Sequence, residues 1–238
     1  MRTIIAAIAA FTCLASEASA REHRFFADIA VSSALNDRGE QIAAGVAEAT
    51  FGLEAEIGEV MVYGAVYRLA PLGPHQSAFD DEVDYTMGAV WAGEGYELDI
   101  AANWLTFPGA DTKSGLELAA AVTFDRALEP AISGFYDTEH ECWGLELVAG
   151  PEWVNDDWTI YALARGGFVN NRGEDADRSY GGAEVGFAKA VSPNASVAVY
   201  GRVDVADEEA FVRHLAGGGI QASKSAGGAM GVVLSVAY

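Results

Sequence analysis

The sequence predicts an all-β chain closed into one transmembrane, antiparallel, up-and-down β-barrel of about 12 strands. Three observations carry this. Apolar residues alternate with small or polar ones through most of the chain, the period of two expected when the two faces of a strand meet different surroundings. The breaks in that pattern alternate in length: those near 36, 71, 109, 170 and 207 are long and those near 58, 94, 126, 156 and 194 are short, as when the two rims of a barrel lie on opposite sides of a membrane, the break near His140 alone being short where a long one is expected. Finally, Gly227–Tyr238 ends the chain as a strand with Met230, Val232, Leu234, Val236 and Tyr238 on a bulky face and Ala229, Gly231, Val233, Ser235 and Ala237 opposite. A closing strand that ends on an aromatic resembles the one outer-membrane barrels present to their assembly machinery.

Composition narrows the class. Outside the first 20 residues there is no apolar run near the roughly 18 residues a spanning helix needs. The chain is 51% hydrophobic and 21% charged, with a net charge of -21. It is too apolar for a disordered tail and too acidic for nucleic acid or anionic surfaces to be its partners. Residues Met1–Ala20 read as a cleaved signal peptide, with Arg2, an apolar stretch from Ile4 to Leu14, and Ala18-Ser19-Ala20 before the cut. Phe11 and Thr12 before Cys13 do not suit a lipidation site, and only Cys142 survives processing, so no intrachain disulfide is expected. Residues 21–238 form the barrel, and the outer membrane is the expected location.

Taken in order, Phe25 to Leu35 sets Phe25, Ala27, Ile29 and Val31 against Asp28, Ala30 and Ser32. After a break at Asn36–Gln41, the strand from Ala44 to Ile57 sets Phe51 and Leu53 against Gly52 and Glu54. The turn Gly58-Glu59 leads to a strand with Met61, Tyr63, Ala65, Tyr67 and Leu69 on its apolar face and Gly64, Val66 and Arg68 opposite. The clearest hairpin follows the loop from Pro71 to Asp81. Val83, Tyr85, Met87, Ala89 and Trp91 are answered across Gly93-Glu94-Gly95 by Tyr96, Leu98, Ile100, Ala102 and Trp104. Leu116 to Phe124 alternates next, then a short strand within Pro130–Asp137, then Trp143 to Trp153 with Leu145 and Leu147. Trp158, Ile160, Ala162 and Ala164 oppose Thr159, Tyr161, Leu163 and Arg165. Val185 and Phe187 oppose Glu184 and Gly186, and Val197, Val199, Val203 and Val205 oppose Tyr200, Arg202 and Asp204. A loop from Ala206 to Ala226 precedes the closing strand.

With the bulky apolar faces toward lipid, the interior receives Asp28, Glu54, Asp84, Glu97, Asp99, Glu117, Glu146, Glu184 and Asp204 against Arg68, Arg165 and Arg202. Nine acids less three bases leave an excess of six negative charges. Trp91 with Tyr96, Trp153 with Trp158, and Tyr238 fall at the short-turn rim, where an interfacial aromatic girdle belongs. A secreted β-sandwich also alternates, but it would carry more Lys and Thr than the Gly-, Ala- and Ser-rich faces seen here.

The stretch Val31-Ser32-Ser33 leading to Arg38-Gly39 and Gln41, together with Asp84 to Gly109, including Glu97-Leu98-Asp99 and Phe107-Pro108-Gly109, resembles the TorF-type porin family of proteobacterial outer-membrane proteins. The likeness covers about the first two thirds of the chain after the leader and implies a small outer-membrane barrel.

No catalytic residues, cofactor or metal site are predicted. His23, His75, His140 and His214 are scattered. Adjacent His140, Glu141 and Cys142 cannot all face one ion on an extended chain, and Glu174, Asp175 and Asp177 lack calcium-loop spacing. Gly217-Gly218-Gly219 precedes no helix, and Arg38-Gly39 reads as a turn. The functional expectation is a passive channel for small solutes with a cation-preferring interior, in contact with membrane lipid and the barrel-assembly machinery. The alternatives are a non-conducting structural or adhesion barrel and, third, an outer-membrane enzyme. Whether the interior conducts, or is plugged by its own side chains, is open at this point.

Overall fold

The computed structural model describes residues 23–73, 81–108, 114–171, 177–214 and 220–238. The predicted leader lies outside these residues, as do His75, Gly109, Glu174, Asp175 and the Gly217–Gly219 run. The strands are β1 (His23–Asp37), β2 (Glu40–Ile57), β3 (Val60–Pro71), β4 (Glu82–Gly93), β5 (Tyr96–Thr106), β6 (Gly115–Phe124), β7 (Ala131–Asp137), β8 (Cys142–Ala149), β9 (Glu152–Asn155), β10 (Trp158–Asn170), β11 (Arg178–Ser192), β12 (Ala195–Ala206), β13 (Phe211–His214), β14 (Ile220–Lys224) and β15 (Ala226–Ala237).

Each strand of the wall pairs antiparallel with its neighbours. β15 lies between β12 and β1, and pairing of β10 with β11 closes the cylinder. β8 and β9 both pair with β10 and form one stave interrupted at Gly150-Pro151, so the wall has 12 staves. Closure leaves no strand edge, which a lipid-exposed sheet cannot tolerate. The seam reaches the last residue: Phe25 and Tyr238 exchange two backbone hydrogen bonds, of 2.7 and 2.9 Å.

Outside, the wall is a belt of exposed large apolar side chains, among them Ile29, Leu53, Met87, Ile100, Leu145, Val185, Val203 and Val232. A soluble fold would bury these residues; a lipid-facing surface displays them.

Three sequence expectations are corrected. β3 is inverted: Tyr63, Tyr67 and Leu69 point inward, while Val66 and Arg68 point outward. Ladder register decides this, because Val66 sits opposite Phe51 on β2 and Tyr85 on β4, and residues directly opposite in a sheet share a face. Second, the long connection expected near 36 is a two-residue turn, Arg38-Gly39, at the tip of an extended hairpin. Both turn residues have positive φ, 46° and 75°, as a tight hairpin turn with the native strand twist requires. Third, the loop after β12 contains a small hairpin of its own, β13 with β14.

The β1–β2 hairpin does not run straight out of the wall. Its alternation of exposure ends at Ser33, and Ala34, Leu35, Asn36 and Asp37 are all buried, so both faces of the hairpin tip are covered by protein. The bend sits where β2 crosses Gly45, whose φ of +68° an L side chain rarely adopts. Beyond it the tip folds into the bore.

Candidate functional site: the barrel interior

The inward face is built from carboxylates, arginines and tyrosines set on rigid strands. Asp28, Glu54, Asp84, Glu97, Asp99, Glu117, Glu146, Glu184 and Asp204 stand on the inner side of their strands, with Arg165 and Arg202. Arg68 does not join them. At the long-loop rim it turns outward, pairs with Asp81 at 2.5 Å and donates to the Glu82 carbonyl at 3.0 Å, keeping its head in the polar layer. Further charged groups share the interior, among them Arg24, Asp37, Arg38 and Glu48.

Four of the nine acids are held by arginine: Glu54 by Arg24 (2.6 Å), Glu117 by Arg38 (2.8 Å), Glu184 by Arg165 (3.1 Å) and Asp204 by Arg202 (2.6 Å). Hydroxyls also donate to interior carboxylates, Glu184 among them. Tyr63 donates to Asp99 at 3.0 Å, Tyr67 to Glu48 at 2.8 Å and Tyr161 to Glu184 at 3.0 Å; Tyr180 bonds Glu146, and Ser235 bonds Asp28. A neutral donor satisfies a carboxylate's lone pairs without cancelling its charge, so acid excess persists along the bore.

The inward tyrosines explain the small residues of the opposite pattern. Tyr63 lies over Gly88, Tyr161 over Gly186 and Tyr200 over Gly231, each ring occupying the space that a Cβ on the adjoining strand would take. Flattened against the wall, the rings leave bore space that upright rings would fill.

The tip of the β1–β2 hairpin crosses this interior. Counting round the wall, β7 is six staves from β1 in a ring of 12, and so lies across the bore from it. Arg38 spans that gap: its guanidinium bonds Glu117 on β6 and sits 3.3 Å from the centroid of the Phe135 ring on β7. Gly39 presses against Tyr180 so closely that a Cβ would overlap the ring. Asn36 donates to Asp204 at 3.1 Å, and Arg178 holds the tip from the rim, donating to the Arg38 carbonyl at 3.0 Å and pairing with Glu40 at 3.0 Å and Glu208 at 3.2 Å. Arg38-Gly39 is thus the expected turn and also an interior contact. Below the tip lies a cavity of about 120 Å³ bounded by β6, β7, β8, β10 and β11; its lining includes Asp37, Arg38, Phe135, Glu146, Leu163 and Tyr180.

At the short-turn rim Trp91, Tyr96, Trp153 and Tyr238 are exposed on the outer face, and Trp158 stacks on Phe187 with centroids 6.3 Å apart. Across the wall, at the opposite rim, Trp143 meets Phe168 edge-on at 5.8 Å. His140 pairs with Asp137 at 2.9 Å in the rim turn, and among the described residues no group of three candidate ligands could hold a metal ion.

Sequence reasoning missed the inward role of Arg38 and of the β3 tyrosines. Gly39 and Gly45, two glycines bracketing a segment that otherwise keeps strand character, are the sequence signal that could have pointed to the fold-in.

The fold and its interior define a transmembrane-type antiparallel β-barrel of the kind that outer-membrane channels adopt. Among solved structures the chain is similar to an outer membrane channel from Pseudomonas putida F1, with TM-score 0.52 and 9% identity over 91% of this chain and 94% of that one. It is also similar to the NanC porin, with TM-score 0.52 and 7% identity over 88% of this chain and 98% of that one. At such identity the likeness concerns the fold. No family model and no curated protein sequence matches the chain.

Proposed function

We propose that this chain is an outer-membrane channel for small solutes whose acidic interior prefers cations. The observation that carries the reading is the combination of an exposed apolar outer belt with an inner face rich in carboxylates, several of them satisfied by hydroxyls instead of cations. A structural barrel needs no such interior; an ion path benefits from it, because charges in a narrow bore act at an effective dielectric well below that of water. The fold likeness to an outer membrane channel and to a porin supports the same reading, as does the resemblance of Arg38-Gly39 and Phe107-Pro108-Gly109 to the TorF-type porin family. In this reading residues 1–20 direct export and are removed, the closing strand engages the assembly machinery, and the barrel catalyses no reaction.

A second reading, a non-conducting structural barrel, is favoured by the hairpin packed across the bore. Planar-bilayer recording with reversal potential in a salt gradient separates them. Discrete currents with cation preference support the channel; a folded, inserted protein that passes no current supports the structural barrel; anion preference refutes the proposed interior charge.

A further inference from the structure

The β1–β2 hairpin divides the bore unequally. On the side of β3–β6 its Leu35, Ile42 and Val46 pack with Tyr63, Tyr67 and Leu69 into an apolar cluster that also buries Ala101 and Ala119. On the side of β7–β11 the tip meets the wall through Arg38 on Phe135 and Gly39 on Tyr180, and a cavity of about 120 Å³ lies beside these contacts. Arg38 stands at the boundary, facing that cavity, while bonded to Glu117 and stacked on Phe135. Its position is fixed from three sides, by Arg178 on its carbonyl, by the Asn36–Asp204 bond and by the seat of Gly39 on Tyr180.

From this geometry we propose that passage is confined to the β7–β11 half of the bore and that Arg38 is its specificity-determining residue, setting width and charge at the level of the hairpin tip. The conductance part of this proposal rests on the channel reading above. A guanidinium is charged at any working pH. That of Arg38 pairs closely with Glu117 at 2.8 Å and more loosely with Asp37 at 3.6 Å, so a passing ion meets a bulky side chain held between two carboxylates. Removing the Glu117 carboxylate therefore shifts the local charge by one unit toward positive, whereas shortening the arginine widens the path.

Two measurements test it. In a Cys13→Ser, Cys142→Ser background, Leu163→Cys on the cavity wall and Ala101→Cys beneath the apolar cluster are treated, in the folded barrel, with a membrane-impermeant sulfonated thiol reagent, and labelling is read by mass. Leu163→Cys should react faster by on the order of tenfold or more, since accessibility governs thiol reactivity here. Deleting residues 34–44, which leaves Ser33-Gly45 as a two-residue turn, should bring Ala101→Cys up to the same rate. Equal rates in the intact hairpin overturn the half-bore assignment. In bilayers, Glu117→Gln should move the reversal potential toward anions, and Arg38→Ala should raise single-channel conductance. A conducting protein in which neither changes overturns the role of Arg38. If labelling behaves as expected but the wild type never conducts, the channel reading fails and the half-open bore stands.

Discussion

Met87→Arg tests which face meets lipid and at what depth. Met87 is 76% exposed on the outer side of β4, opposite Gly64 and Ala102. It lies four residues from Trp91, whose place at the short-turn rim marks the interface. At about 3.4 Å per residue and a strand tilt of about 40°, those four residues amount to roughly 10 Å of depth, close to the middle of an apolar band about 25 Å tall. An arginine there should cost about 2–4 kcal/mol, lowering the folding equilibrium constant by between one and three powers of ten. Leu163→Arg is the matched control: the same change of type, but toward the cavity, beside Glu146 and with Glu184 as its cross-strand partner. Its cost should be about 1 kcal/mol or less, because new carboxylate partners offset the lost apolar contact. Urea titration of the barrel folded into lipid vesicles, followed by tryptophan fluorescence, gives both numbers. If Leu163→Arg is as damaging as Met87→Arg, the assignment of lipid-facing and bore-facing sides is refuted.

Gly88→Ala should destabilise by about 1–3 kcal/mol because its Cβ would overlap the Tyr63 ring, and adding Tyr63→Ala should recover part of that loss, a coupling that a double-mutant cycle in the same urea assay would read. Replacing Glu97 with Gln and Asp99 with Asn should lower cation preference without loss of folding yield, since both lie on the inner face; 1 M salt should weaken the wild-type preference too, as screening shortens to about 3 Å. Gly45→Val forces a β-branched residue to a φ of +68° and should cost about 1–3 kcal/mol; if the bend is what admits the tip, hydrogen exchange at Leu35 and Asn36 should accelerate while the β4–β5 ladder stays protected.

Most of the wall was legible because alternation is a direct imprint of two-sided surroundings. The β4–β5 hairpin is the clearest case: Val83 to Trp91 and Tyr96 to Trp104 lie outward as their pattern requires, and they pair across the turn at Glu94-Gly95. β3 shows where the signal fails. Tyrosine is apolar along its ring and polar at its tip, so a period of two in Tyr63 and Tyr67 is equally compatible with lipid and with a carboxylate-lined bore. What resolves it is Glu48 on the adjacent β2 and Asp99 on β5, one strand beyond β4, placed to accept from those hydroxyls. Pairing of that kind belongs to the ladder register, and no single strand contains it.

The hairpin tip was illegible for a different reason. From Ala34 to Ala44 the chain keeps strand pairing but loses two-sidedness, since Leu35 and Ile42 bury against the β3 wall while Asn36 reaches Asp204 on β12 and Arg38 reaches Glu117 on β6. A segment covered on both faces has no reason to alternate, so by periodicity alone it reads as a break. Its polar residues are nevertheless matched one by one by side chains far away in sequence, Asn36 by Asp204 and Arg38 by Glu117. Arg38 also holds a φ of 46°, an uncommon conformation for a residue with a side chain. A solvated loop would place no such demand on its sequence. The matched partners, together with Gly45 at the bend, fit a segment specified to enter the bore, and this places its tip where it determines what space remains.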